Sequence, residues 1–96
     1  MTLKLHPLAE DDFKTALDYY HTISPKLEKK FFSSIDKLFS SILEHPNMYQ
    51  HEGNTSQKVV MSKFPYIIIY EQYENIIMIL AIFHTKQDPQ RLSDRN

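Results

Sequence analysis

The chain predicts an α+β domain with the element order β-α-α-β-β-β, in which an antiparallel sheet is packed by an α-helical hairpin. Two observations carry this. Apolar residues recur every three or four positions from Ala9 to Ile42, and the pattern stops at His45-Pro46. From Lys58 onward the period drops to two, and the polar stretch between the two regimes, residues 47–56, holds the only glycine, Gly53.

Each element follows from local chemistry. Residues 2–6 alternate, with Leu3 and Leu5 on either side of Lys4, and read as a short strand. Pro7 ends the strand and suits the first helical position, where a missing N–H costs nothing. Glu10, Asp11 and Asp12 then fall in the first turns, where the helix dipole favours negative charge. Ala9, Phe13, Ala16, Leu17 and Tyr20 share one face, so the first helix is expected over residues 7–22.

Ser24-Pro25 pairs an N-cap residue with proline at the first helical position. Leu27, Phe31, Ile35, Leu38 and Ile42 follow at intervals of four and three, flanked by Phe32, Phe39 and Leu43. This second helix is longer and stops at His45-Pro46. The short Ile23-Ser24 link sets the helices as an antiparallel hairpin.

Residues 47–56 read as a loop. Residues 58–61 form a strand, which Phe64-Pro65-Tyr66 interrupts because proline cannot donate to a ladder. Residues 67–70 and 76–83 are two more strands, joined by a turn at residues 71–75. The near-continuous apolar content of the last strand places it inside the sheet, covered on one face by the hairpin. The expected core is Phe13, Leu17, Phe31, Ile35, Leu38, Ile42, Ile67, Ile69, Ile77 and Ile79.

Length and composition bound the function. Ninety-six residues make a single domain, residues 1–96. With 42% hydrophobic residues and twelve aromatics, the chain is a packed globule. The absence of cysteine removes disulfides, thiolate metal sites and thiol nucleophiles. The opening Met1-Thr2-Leu3-Lys4-Leu5-His6-Pro7 is not a signal peptide, because charge and proline come before any long apolar run. The longest apolar run, residues 76–83, is far short of the roughly 20 residues that cross a bilayer. A soluble, cytoplasmic protein with no membrane partner is expected.

Net charge is −1, which gives no support to binding dominated by nucleic-acid phosphate. Residues 1–55 carry six Lys/Arg against eight Asp/Glu, and residues 56–96 carry five against four. An anion-seeking surface is therefore local to the second half.

Five segments in order carry a family resemblance. His6-Pro7-Leu8-Ala9-Glu10-Asp11-Asp12 opens the first helix, and Tyr19-Tyr20 closes it. Leu43-Glu44-His45-Pro46 ends the second. Phe64-Pro65-Tyr66-Ile67-Ile68-Ile69-Tyr70 forms a strand, and Ile82-Phe83-His84 leads to Asp88-Pro89 and Arg95. Together they resemble the RelE/ParE toxins of bacterial type II toxin–antitoxin pairs, most closely the ParE-like plasmid-stabilisation branch. The resemblance implies a compact toxin neutralised by a cognate antitoxin, with the fold already reached from periodicity. In the ParE branch it implies inhibition of DNA gyrase without chemistry by the toxin. In the RelE branch it implies cleavage of messenger RNA in the ribosomal A site.

Two positions depart from the family pattern. Lys58 stands where an arginine is usual, and so does Gln87, beside Lys86. Lysine lacks the bidentate fork of arginine and glutamine lacks charge, which weakens a phosphate-cleaving reading.

RNA cleavage without a metal needs a base, cations for the phosphate and an acid. The candidate catalytic residues are Lys58, Lys63 and His84, with Tyr70 also within the strands. Histidine is the side chain whose ordinary chemistry suits proton transfer near neutrality, which singles out His84, but local capping of the strand is the more ordinary reading of it, as solvated strand faces are for Lys58 and Lys63. Lys86, Arg91 and Arg95 are the expected contacts to target or antitoxin. Leu43, Met48, Tyr49 and the last strand are further antitoxin contacts. The remaining histidines, His6, His21, His45 and His51, lack metal-ligand spacing. No cofactor is expected. Three functions stay open: a ParE-like target-binding toxin, a RelE-like endoribonuclease, and a family member with lost activity.

Overall fold

The structure, a computed structural model, describes residues 1–86. Its elements are β1 (Thr2–Leu5), α1 (Pro7–Ile23), α2 (Pro25–Glu44), β2 (His51–Glu52), β3 (Ser56–Val60), β4 (Tyr66–Tyr73) and β5 (Ile76–His84). Both helices begin on the caps that their sequence supplies. The His6 ring accepts from the Leu8 N–H at 3.1 Å, one residue before Pro7. Ser24 alone joins the helices. Its N–H donates to the Tyr20 carbonyl at 2.9 Å to close α1, and its Oγ accepts from the Leu27 N–H at 3.0 Å to open α2. A one-residue joint leaves no alternative to a tight antiparallel hairpin.

The sheet runs β1-β5-β4-β3-β2. The last strand is interior, as its apolar run requires. Every pairing is antiparallel except the first: β1 lies parallel to β5, with Thr2 beside Ile76 and Leu5 beside Ile79. The expected antiparallel sheet packed by a helical hairpin is present, with this one parallel pair at its edge. After the two helices the β3–β4–β5 meander reverses the chain twice, so β5 runs in the direction of β3 and meets β1 with the same polarity, which a direct hairpin turn between neighbouring strands cannot give. The segment expected as pure loop also holds β2, a two-residue strand against Ser56 and Gln57. The turn expected over residues 71–75 shrinks to Glu74 and Asn75, because β4 runs on to Tyr73.

One apolar layer fills the space between hairpin and sheet. Phe31, Ile35, Ile42, Ile77 and Ile79 are fully buried in it, and Phe13, Leu17 and Leu38 pack against its margin. Burying such a side chain stabilises by roughly 1.5–3 kcal/mol. Ile67 and Ile69 do not belong to it, contrary to the sequence expectation. In β4 it is Tyr66, Ile68 and Tyr70 that face the helices, while Ile67 and Ile69 join Met78, Leu80, Ala81 and Phe83 on the opposite face. Three consecutive isoleucines offer no polar alternation to fix the face, and the one-residue period error turns every side chain over.

β5 changes phase midway. Ile69 pairs with Ala81 but Tyr70 with Ile79, so Leu80 is an extra residue. Ile77 and Ile79 face the helices, Leu80 and Ala81 both face away, and Ile82 returns to the core. None of the helices among the described residues is long and apolar enough to cross a membrane.

Candidate functional site

The candidate residues divide between two places. Lys58 sits on β3 opposite Ile69, on the helix-free face, and its ammonium lies 3.2 Å from Glu52 of β2. Lys63 lies in the connection from β3 to β4, and His84 and Lys86 lie where β5 ends. These two chain segments are joined by the Thr85 N–H, which donates to the Pro65 carbonyl at 2.9 Å. The structure thus brings Lys63, His84 and Lys86 to one end of the sheet and holds Lys58 apart from them in a local ion pair. Arg91, Arg95 and Gln87 lie outside the described residues.

His84 is tied into this end of the sheet. It pairs with Tyr66 in the ladder, and its ring meets the Tyr66 ring edge-on at 5.3 Å. Its Nδ1 accepts from the Lys86 N–H at 3.1 Å. Behind it, Tyr66 and Tyr20 pack together with Phe31 and Phe64, ring centroids 4.9 to 6.3 Å apart. Burial, reinforced by Tyr20, pushes the Tyr66 phenol up to about 12, and burial also raises Tyr20. Both remain protonated at neutral pH and cannot serve as bases there.

Tyr70 lies on the helix side and is wholly buried. Its Oη donates to the Pro46 carbonyl at 2.6 Å, and burial raises its phenol to about 12. The same carbonyl also accepts from the Nε2 of Gln57 at 2.8 Å and of Gln72 at 3.3 Å. Gln57 Nε2 reaches the Tyr49 carbonyl at 3.0 Å as well, and Gln57 Oε1 accepts from Gln72 at 2.6 Å. This buried network clamps the end of α2 and residues 45–50 onto the sheet, and it makes Tyr70 a structural residue.

Next to that clamp a groove of about 370 Å³ runs between α2 and β3. Ser34, Lys37, Leu38 and Ser41 of α2 form one wall; Val59, Val60, Met61, Ser62 and Lys63 form the other, and Tyr49 closes one end. The Tyr49 hydroxyl and Ser41 Oγ are 2.7 Å apart. The expected antitoxin contacts are thereby placed separately: Tyr49 lines the groove, Leu43 packs against the core and Met48 is exposed. Lys37 carried no signal in the sequence. A lysine on the flank of an amphipathic helix looks the same whether it meets solvent or a groove. Among the described residues, no group of His, Cys, Asp and Glu side chains is arranged to hold a metal ion.

Comparison with known proteins agrees with the architecture. The sequence profile of the ParE toxin of the type II toxin–antitoxin system parDE matches residues 3–89. This chain belongs to the ParE toxin family. It is similar to Toxin ParE2 of Mycobacterium tuberculosis, found in strains CDC 1551 and H37Rv, with 25% identity over 88 residues covering 91% of this chain and 84% of the relative. Its fold matches a chain of the chromosomal ParDE toxin–antitoxin system from P. aeruginosa with a TM-score of 0.76 at 20% identity, covering 88% of this chain and 95% of that one. In this ParE-family chain, the residues at the sheet end and in the groove are set upon the helical hairpin and the β3–β4–β5 meander.

Proposed function

We propose that this ParE-family toxin acts by occupying a cellular target such as DNA gyrase, without catalysis, and that a cognate antitoxin neutralises it. The observation that carries the reading is the family match over residues 3–89. The local chemistry supports binding over cleavage. The Lys58 ammonium is engaged by Glu52, His84 Nδ1 takes the Lys86 amide, and the nearby Tyr66 phenol holds its proton to about 12. A phosphate-cleaving site needs convergent cations and a free base. Lys86, Arg91 and Arg95 are the proposed target contacts.

Two experiments test this. Co-expression with the product of the adjoining reading frame, purified through a tag on one partner, should yield a complex. Added to a gyrase supercoiling assay, the purified chain should inhibit, and deletion of residues 86–96 should abolish inhibition while His84→Ala has a smaller effect. Message cleavage at the ribosomal A site that His84→Ala or Lys58→Ala eliminates would overturn the binding mechanism and make the chain a RelE-like endoribonuclease.

A further inference from the structure

The helical hairpin meets the sheet with one side. That inner side carries Phe31, Ile35 and Ile42, and it is fixed further by the Asp12 carboxylate of α1, which accepts from the Ile82 N–H of β5 at 2.9 Å. The outer side of α2 has a pattern of its own. Pro25, Lys29, Phe32, Asp36, Phe39 and Leu43 follow at intervals of four, three, four, three and four, which sets them in one stripe along the helix. Phe39 and Leu43 are partly buried against the core. Phe32 is 50% exposed, and it is the only one of the six phenylalanines that is.

Phe32 is the centre of an apolar patch. Its ring stacks on Phe13 of α1 at 5.8 Å, and Phe13 meets Phe39 edge-on at 6.4 Å. Beside them lies a hollow of about 320 Å³ lined by Leu17, Glu28, Lys29 and Phe32. Lys29 and Asp36 flank Phe32, one turn before it and one turn after. Both are exposed, and among the described residues neither makes an ion pair. An apolar centre with a cation on one side and an anion on the other is its own complement under a twofold rotation, as an interface between identical chains requires.

We propose that the outer side of the hairpin binds a second copy of this chain, with the two α2 helices antiparallel about a twofold axis beside Phe32. Each Phe32 then packs on the stripe of the other copy, and each Lys29 meets Asp36 of the other copy, so two ion pairs frame the apolar centre. A parallel arrangement would set lysine against lysine and aspartate against aspartate. The 20 residues of α2 give the face a length of about 30 Å, and two helices side by side a width of about 20 Å. That is roughly 600 Å² per copy, at the low end for specific interfaces, so the dimer is reversible. Lys63, His84 and Lys86 at the sheet end lie outside the stripe, and the dimer presents them twice.

The test is sedimentation of the full chain from micromolar to millimolar concentration, which needs neither toxicity nor an antitoxin. The wild type should pass from monomer to dimer and stop there. Lys29→Asp and Asp36→Lys each turn both ion pairs into like-charge pairs, and each should weaken the dimer about tenfold at low salt. The double variant, Lys29→Asp with Asp36→Lys, restores both pairs in reverse and should recover wild-type association. The two single variants mixed together should form a heterodimer tighter than either forms with itself. Phe32→Ser should abolish the dimer while circular dichroism stays native; if it fails to fold, the exposed charge variants decide alone. A wild type that stays monomeric, assembly that continues beyond the dimer, or a dimer indifferent to both single charge changes would overturn the proposal. So would a double variant no better than the singles. If the wild type stays monomeric and the adjoining gene product binds it but loses about tenfold in affinity for Phe32→Ser, the face belongs to that partner and the second copy is refuted.

Discussion

Removing the Tyr70 hydroxyl probes how residues 45–50 are held. Tyr70, Gln57 and Gln72 all donate to the Pro46 carbonyl, at 2.6, 2.8 and 3.3 Å. A carbonyl has two good acceptor positions, so the two short bonds saturate it and the long one adds little. Tyr70→Phe leaves Gln57 in place, and the carbonyl stays satisfied. The expected loss is that of one net hydrogen bond, about 1 kcal/mol. Gln57→Leu also strips the Tyr49 carbonyl and one Gln72 contact, and should cost about 2 kcal/mol. With both changes, only the 3.3 Å bond from Gln72 is left on a half-buried carbonyl. The double variant should then lose about 4 kcal/mol, some 1 kcal/mol beyond additivity. Urea unfolding followed by circular dichroism measures all four corners of the cycle, with an unchanged m-value showing that the unfolded state is not altered. Strict additivity, or no loss in Tyr70→Phe, would refute the shared-acceptor reasoning.

Three further outcomes follow from the geometry. The folded-state phenols of Tyr66 and Tyr70 lie near 12, above their ordinary value of 10.0, so the fold favours the neutral form. That contribution is complete below pH 10 and is lost as pH rises towards 12, on the order of 2 kcal/mol for each group; phenolate absorbance should show ionisation delayed for these two, and simultaneous titration of all six tyrosines near pH 10 would contradict it. Glu74 has φ 51° in the two-residue turn between β4 and β5, a left-handed conformation that suits glycine, so Glu74→Gly should raise stability by about 0.5–1 kcal/mol in the same urea assay. Asp12→Ala should cost about 1–2 kcal/mol and speed exchange of the Ile82 amide, whereas Asp12→Asn, which keeps an acceptor oxygen, should lose less.

Helix boundaries were legible in the sequence because proline and serine mark them chemically: Pro7, Ser24-Pro25 and His45-Pro46 fall where α1 and α2 begin and end. Strand existence was legible, but strand facing was not. Ile67, Ile68 and Ile69 are equivalent as letters, and only pairing with β5 separates Ile68, in the main core, from its neighbours. The Leu80 bulge and the parallel placement of β1 arise from tertiary pairing and leave no local mark. The candidate site was half legible. The sequence named Lys63, His84 and Lys86, which the fold gathers at one end, but it could not foresee that Glu52, from a segment read as loop, would hold Lys58. The groove escaped because its walls come from α2 and β3, some twenty residues apart, and because the Pro46 clamp depends on a backbone carbonyl that no side-chain motif reports.

The interior position of β5 has a consequence for biosynthesis. β5 binds β1 on one side and β4 on the other, and its Ile77 and Ile79 complete the main core. Contacts between residues 2–5 and 76–79 are among the most distant in sequence that the fold makes, and such contacts form late. Forty residues separate the end of α2 at Glu44 from the end of β5 at His84, and at ribosomal speed they take about 2–8 s to add. A helical hairpin needs only microseconds to form. On each nascent chain, Phe31, Ile35 and Ile42 are therefore displayed for seconds before the strand that buries them has been made, an interval in which a chaperone or a neighbouring nascent chain can reach an apolar stripe that the finished protein never shows.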